Sequence, residues 1–490
     1  MSSATRRTIK KAWLASCLLL TLLAGGSCQK KTDATPTPTP APTPAVPSRV
    51  ALWLTTPDKS ALFARVRVPL NFAAPGAGSS NPVIAVDTTK TYQGIDGFGY
   101  CLTGGSAQVI HQLGPADRAA LLKELFATDS TWLGVSYLRI SIGASDLNSQ
   151  VFTYDDVPGG QTDVNQDQFS LAPDQADLIP VLKEILAINP SIKILGSPWT
   201  APSWMKDNNS PVGGSLKPAY YDAYARYFVK YLQGMKALGI PIDAVTLQNE
   251  PLNPYNNPSM VMQAAEQAAF IKNSVGPAFA AAGLTTKIIC YDHNADRPDY
   301  PIAVLSDAGA RPYVDGSAFH LYGGAIGALS TVHDAFPAKN IYFTEQYVDA
   351  KGNFAADLAW AVNNLIIGAT RNWSRNVLEW NLAADPFNGP HTNGGCSTCL
   401  PAVTVGGAAL VRNPSYYIIA HASKFVRPGS VRVDTNVPTN LPNVAFKTPS
   451  GQRVLIVLNT GSALQSFGVQ YKGRVLATSL AGGAVGTYVW

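Results

Sequence analysis

The sequence predicts an α/β protein: a (β/α)8 barrel with a β-sandwich attached to it, built from both chain ends. Three observations predict it. Between Thr91 and about residue 426, apolar runs of strand character alternate eight times with amphipathic or alanine-rich stretches, as expected of parallel strands connected by helices. Polar and aromatic groups stand at almost every C-terminal end of those runs, the face on which such a barrel gathers its working residues. Short alternating strands flank the block on both sides, and those before Thr91 are too few to be stable unaided. An open doubly wound sheet is the competing fold, but no Gly-x-Gly-x-x-Gly follows the first strand, so the nucleotide fingerprint is missing and no cofactor is expected.

Taken in order, the chain opens on residues 1–27, which have the parts of an export signal: Arg6, Arg7, Lys10 and Lys11, an apolar run from Ala12 to Ala24, then Gly25-Gly26-Ser27. The run is too short for a good transmembrane helix. Small residues ahead of Cys28 resemble a bacterial lipoprotein signal, with Cys28 as the lipidated residue of an exported, membrane-anchored protein. Leu14-Ala15-Ser16-Cys17 fits the lipobox letter by letter but leaves only a few apolar residues before it, and cleavage without lipid is the other alternative. Without the four basic residues the net charge falls from +5 to +1, so no nucleic-acid partner is expected. Residues 28–48 form a Pro/Thr-rich linker in which proline recurs from Thr35 to Pro47 at nearly every second position, an extended stalk that buries nothing.

Residues 49–91 and 427–490 are the predicted sandwich, from runs such as Val83-Ile-Ala-Val and Arg453-Val-Leu-Ile-Val-Leu-Asn459. Residues 92–426 are the predicted barrel. Its strands are read at 94–102, 136–143, 192–199, 244–250, 287–294, 316–322, 340–346 and 376–382, with the clearest helices at 116–126, 176–188, 219–238, 260–282 and 354–370.

The run Ala244-Val-Thr-Leu-Gln-Asn249-Glu250-Pro251 ends abruptly in an amide, a carboxylate and a proline. A carboxylate at the rim of a core sits half in a low-dielectric wall, which raises its pKa toward proton donation. The structural alternative is a solvated glutamate beside a turn. Glu345 also closes an apolar run, Ile341-Tyr-Phe-Thr-Glu345, three strands further round; its structural alternative is a rim salt bridge. Two carboxylates facing each other across a barrel mouth, with tryptophans around them, suit glycoside hydrolysis: one protonates the leaving oxygen, the other attacks the anomeric carbon, and aromatic faces stack on sugar rings. Glu345 is the better nucleophile if Arg139 or Tyr322 keeps it ionised.

These motifs resemble glycoside hydrolase family 30, which includes glucosylceramidases and β-1,6-glucanases. The resemblance rests on Gly94-Ile-Asp-Gly-Phe-Gly99, Leu138-Arg-Ile-Ser-Ile-Gly143 with Asp146, Ser197-Pro-Trp-Thr-Ala-Pro-Ser-Trp-Met-Lys206, Gln248-Asn-Glu-Pro251, Phe319-His-Leu-Tyr322, Phe343-Thr-Glu345, Glu379-Trp-Asn-Leu-Ala383 and Ala422-Ser-Lys-Phe-Val-Arg-Pro-Gly-Ser430. It implies a retaining β-glycosidase, with Glu250 as acid/base, Glu345 as nucleophile and Asn249 holding the sugar 2-hydroxyl. Arg139, Asp146, Trp199, Tyr322 and Trp380 would line the subsite for the glucose. His293 and His320 are substrate contacts or buried structural histidines. The first strand reads Gly99-Tyr-Cys-Leu-Thr-Gly-Gly105 where many members have Gly-Gly-Ala-Phe-Thr-Asp-Ala, and the loop from Pro390 to Leu400 resembles the bacterial β-1,6-glucanase branch. A β-1,6-glucan is therefore the expected substrate, with glucosylceramide as the alternative.

Two other classes compete. A non-catalytic glycan-binding barrel would keep the tryptophans but lose a carboxylate, and both are present. A metal-dependent hydrolase using Asp292, His293 and His320 would show closely paired histidines, which the sequence lacks, so no metal is expected. Cys396-Ser-Thr-Cys399 has metal-site spacing without a second pair, and reads as a local disulfide or two free thiols.

Overall fold

The computed structural model describes residues 49–75, 80–129, 131–406 and 410–490; the signal, Cys28 and the stalk lie outside the described residues. Eight parallel strands close into a barrel: β1 (Gly97–Cys101), β2 (Tyr137–Ser141), β3 (Lys193–Ser197), β4 (Ala244–Thr246), β5 (Lys287–Ala295), β6 (Val314–Gly324), β7 (Asn340–Glu345) and β8 (Ser374–Asn381), with β8 pairing back onto β1 through Val377 and Phe98. All the strands read from the sequence are present. The fourth is shorter than expected, ending at Thr246, so Asn249 and Glu250 stand on the turn beyond it.

The predicted helices form at Pro115–Phe126, Leu178–Ile188 and Tyr221–Ala237. The one expected over 260–282 is interrupted by a π-helical turn at Ile271–Val275, just before Pro277. Proline has no N–H to give the preceding turn, and a widened turn absorbs the missing bond. Helices at Asp299–Ser306 and Ala328–Ala335 complete connections; each is only 8 residues long, too short for a helical period to stand out in the sequence.

The strands from both chain ends form a ten-stranded β-structure. Arg49–Thr55 runs antiparallel to Val485–Val489, and Val83–Gly94 pairs antiparallel with Val431–Thr435 and parallel with Gln465–Tyr471. In Arg453–Leu458 side chains alternate between two cores: Leu455 and Val457 join the sandwich interior, whereas Val454, Ile456 and Leu458 join the main core of the barrel and its helices. That strand is buried on both faces. The barrel therefore rests on the sandwich through apolar contact, with Phe98 edge-on to Phe446 at 6.4 Å.

Candidate active site

The barrel interior is floored by one apolar layer, Tyr137, Leu195, Ala244, Ile289, Ala318, Tyr342 and Leu378. Successive strand residues point to opposite faces, so the residue two further along points inward again, one layer nearer the mouth. This step carries Tyr137 to Arg139, Leu195 to Ser197, Ala244 to Thr246, Tyr342 to Thr344 and Leu378 to Trp380. Strand β5 breaks the rule. Tyr291 and Asp292 have φ of 73° and 76°, and the pairing with β6 shifts between Ala318 and Phe319. This bulge turns Asp292, three residues after Ile289, into the barrel, while the Tyr291 N–H donates to Gln267 on the helical side.

Asp292 is the hub of the polar layer. One of its oxygens accepts from Arg139 at 2.8 Å, Ser197 at 2.8 Å and Thr246 at 2.7 Å; the other accepts from Thr344 at 2.6 Å and lies 3.0 Å from His320 Nε2. Burial disfavours its charge, but Arg139 and His320 outweigh burial and hold it far below the usual carboxylate range. Arg139 reaches the other way to Glu345 Oε2 at 2.5 Å and Asn249 Oδ1 at 2.6 Å, with its guanidinium 4.8 Å from the Trp199 ring centroid.

Glu250, His320 and Glu345 each place an atom within 4.8 Å of the others. Glu250 has φ of 46°, an unfavourable conformation for a residue with a side chain, held by its N–H donating to the Asp292 carbonyl and its carbonyl accepting from Asn253. Its Oε2 accepts from the Asn253 amide at 2.7 Å and the Asn256 amide at 3.1 Å. Glu345 accepts from the Tyr322 hydroxyl at 2.9 Å as well as from Arg139.

The proton affinities differ from the expectation. Burial pushes the Glu250 carboxyl up, but His320, 3.4 Å from its Oε1, and Asn253 bring it down to about 2. The raised pKa expected at this strand end is therefore absent, because an imidazolium and amide donors face the carboxylate. Burial raises Glu345, against the opposing charges of His320 and Arg139. His320 is itself penalised by burial, yet Glu345, Asp292 and Glu250 raise it to about 9.

Asp146, Trp199, Tyr322 and Trp380 line a cavity of about 190 Å³ together with Glu250 and Glu345. Trp199 and Trp380 form one wall, ring centroids 5.5 Å apart. Arg139 and His320 are fully buried, absent from the lining of that cavity and set against the carboxylates: for His320 this is the buried alternative, for Arg139 a departure from the expected sugar contact. His293 also stays outside, its Nδ1 accepting from the Leu252 N–H at 3.4 Å. Asn249 is 4% exposed, its oxygen accepting from Arg139.

Sequence reasoning missed Asn253, Asn256 and Tyr347, whose loops carry no periodic signal, and weighed Asp292 only as a metal ligand. Cys396 and Cys399 form a disulfide that lines the same cavity, and the Cys396 N–H donates to Asp146 at 3.3 Å. Burial and nearby Glu345 raise Asp146 to about 7. Among the described residues the group close enough to share an ion is Glu250, His320 and Glu345, not the Asp292, His293 and His320 of the metal reading.

The chain was compared with known proteins. The family model described as glycosyl hydrolase family 30 TIM-barrel domain matches residues 95–426, and that of the family 30 beta sandwich domain matches 429–488. An endo-1,6-beta-D-glucanase of Neurospora crassa is 38% identical over 381 residues, covering 74% of this chain and 78% of that protein. The lysosomal acid glucosylceramidase of Mus musculus is 29% identical over 440 residues, covering 83% of each. The solved structure of the endo-beta1,6-glucanase BT3312 superposes with a TM-score of 0.84 at 37% identity, covering 90% of this chain and 99% of that one.

Proposed function

The chain belongs to glycosyl hydrolase family 30 and is a retaining O-glycosyl hydrolase, and from that premise we propose that it cleaves within β-1,6-glucan chains, with Glu345 as nucleophile and Glu250 as acid/base. One observation carries the two-carboxylate reading: an oxygen of Glu250 and one of Glu345 lie within 4.8 Å of each other at a cavity walled by two tryptophans, and the nucleophile role of Glu345 is supported by Arg139 and Tyr322, which donate to it. Retaining enzymes keep their carboxyl groups about 5–5.5 Å apart, whereas inverting enzymes leave about 6.5–9.5 Å for a water.

A glucose unit stacks against Trp199 and Trp380, with Asp146 accepting a hydrogen bond from one of its hydroxyls. Glu345, oriented by Arg139 and Tyr322, attacks the anomeric carbon. The Asn249 amide, its oxygen fixed by Arg139, offers its N–H to the 2-hydroxyl, a contact that strengthens in the transition state. Glu250 needs a proton before it can give one. Sugar filling the cavity excludes water from its carboxyl and raises its pKa, and the same group then removes a proton from the water that releases the glycosyl-enzyme.

Glu345→Ala is expected to cut turnover of an aryl β-glucoside by roughly a thousandfold or more. Azide should restore product of inverted configuration, and normal turnover without azide would sink the role. The glucan reading draws on relatives named endo-1,6-beta-D-glucanase. Its test is the product profile: pustulan should shorten by internal cuts before gentiobiose accumulates. Preferential release of ceramide from glucosylceramide would favour the glucosylceramidase reading instead.

Export with a lipid on Cys28 is part of the same proposal. It is supported by the basic, apolar and small-residue order before Cys28, and by the Cys396–Cys399 disulfide, which suits an oxidising compartment. Cys28→Ala is expected to abolish incorporation of labelled palmitate and move activity from the membrane fraction to the soluble one; unchanged fractionation would overturn the anchor.

A further inference from the structure

Glu379 stands next to Trp380 on β8, and strand alternation turns it away from the barrel interior toward the helical layer. It is 1% exposed, and among the described residues neither of its carboxyl oxygens makes a hydrogen bond of full geometry, the Ser415 hydroxyl being only a weak partner. A buried polar group in that state is destabilising unless something fills it. It lines a second cavity, of about 450 Å³, directly beside the catalytic one. Tyr322 and Tyr347 line both, so a wall of two tyrosine rings with centroids 5.4 Å apart divides them.

The second cavity is built for a neutral polyhydroxy ligand. Trp360, on the helix Phe354–Ala361, leaves 43% of its surface exposed there. Asp357 lies one helical turn before it, and Gln346, just past the end of β7, lines the space with a side-chain oxygen that is buried and without a partner among the described residues. No lysine or arginine lines the space, so it offers an anion nothing. Its carboxylates do not come close enough together to form a three-ligand ion site among the described residues. An aromatic face beside unfilled acceptors matches a sugar ring, whose C–H face is apolar and whose rim is a ring of hydroxyl donors. Burial raises Glu379 to about 8, opposed by Ser415, so near neutral pH its acid form can donate as well as accept. One edge is fixed by the short strand Val348–Asp349, which pairs with Cys399–Leu400 of the disulfide loop.

We propose that this cavity is a second glucosyl subsite, taking a further unit of the glucan whose bond is cut next door, with its ring on Trp360 and its hydroxyls on Glu379 and Gln346. The proposal rests on the β-1,6-glucan reading. A β-1,6 linkage has a rotatable C5–C6 bond in its path, which lets a chain bend over the Tyr322–Tyr347 wall; a linkage between ring carbons lacks that joint.

The test compares Trp360→Ala with wild type on pustulan and on an aryl β-glucoside. Trp360 is at the surface, so the variant is expected to fold. Loss of the stacking face should lower kcat/KM on pustulan roughly tenfold, through KM, while aryl-glucoside turnover stays within about twofold. Calorimetric titration of gentio-oligosaccharides into Glu345→Gln should show an affinity gain with added glucose units that Trp360→Ala removes. If wild type cleaves pustulan and Trp360→Ala has an unchanged KM, or if both substrates fall equally, the subsite is overturned alone. If wild type does not cleave pustulan, the glucan reading falls and takes the subsite with it.

Discussion

His320 Nε2 lies 3.0 Å from Asp292 and Nδ1 lies 3.4 Å from Glu250, and burial, which opposes its charge, is outweighed by the three carboxylates that raise it to about 9. Unfolded, the same ring titrates near 6.5. Its contribution to stability is therefore fully present below pH 6.5 and disappears as pH rises through about 9. His320→Gln should lose a few kcal/mol at pH 6 and lack the wild-type decline between about pH 6.5 and 9.5, as read by urea unfolding across that range. Parallel slopes in the two proteins would refute the charge assignment. The same cation explains why Glu250 is held to about 2 despite its burial.

The loop from Pro390 to Leu400 is the element that finishes the site. Its Thr392 N–H donates to the Asp146 carbonyl at 2.8 Å, its Cys396 N–H to the Asp146 carboxylate at 3.3 Å, and Thr392 Oγ1 to the Asn257 carbonyl at 2.6 Å. The disulfide joins residues only three apart, so it restricts the unfolded chain little. Replacing both cysteines by serine should therefore move the melting temperature by no more than a few degrees. KM on β-1,6-glucan should rise several-fold with kcat largely kept, because a loosened Asp146 weakens binding of ground and transition states alike. A fall in kcat at constant KM would place the loop in the chemical step instead.

At the scale of the molecule, His421 joins barrel to sandwich. It lies on the helix Pro414–Ser423, fully buried, with Nδ1 2.8 Å from Thr487 and Nε2 2.8 Å from Thr55, so one ring links strands from both chain ends. Burial lowers it to about 3. Between pH 6.5 and 3 the unfolded chain binds a proton that the folded one refuses, so stability falls with pH over that window, by a few kcal/mol in total from this group. His421→Gln should flatten the acid limb of the stability profile, measured by thermal melts between pH 7 and 4. An unchanged limb would assign acid sensitivity to the carboxylates alone. The shared core, in which Val454 and Ile456 of the sandwich pack with the barrel's helices, makes the two parts one folding problem.

Strand and helix periods are local, so the eight alternations, the sandwich strands at both ends, and Glu250 and Glu345 at their strand ends could be read from the chain alone. Asp146, Trp199, Tyr322 and Trp380 were legible for the same reason, each standing at or just past a strand end. What the tertiary structure decided depends on neighbours far apart in sequence. The β5 bulge inverts the alternation that would have aimed Tyr291 inward, and makes Asp292 the hub. Arg139 and His320 are buried against the carboxylates because charges converge on them from β5, β7 and the turn after β4. Glu379, which sequence places in the same strand-end motif as Trp380, faces another cavity altogether. Which residue has a given side chain is a local fact; what that side chain's charge, burial and partners become is set only when the barrel closes.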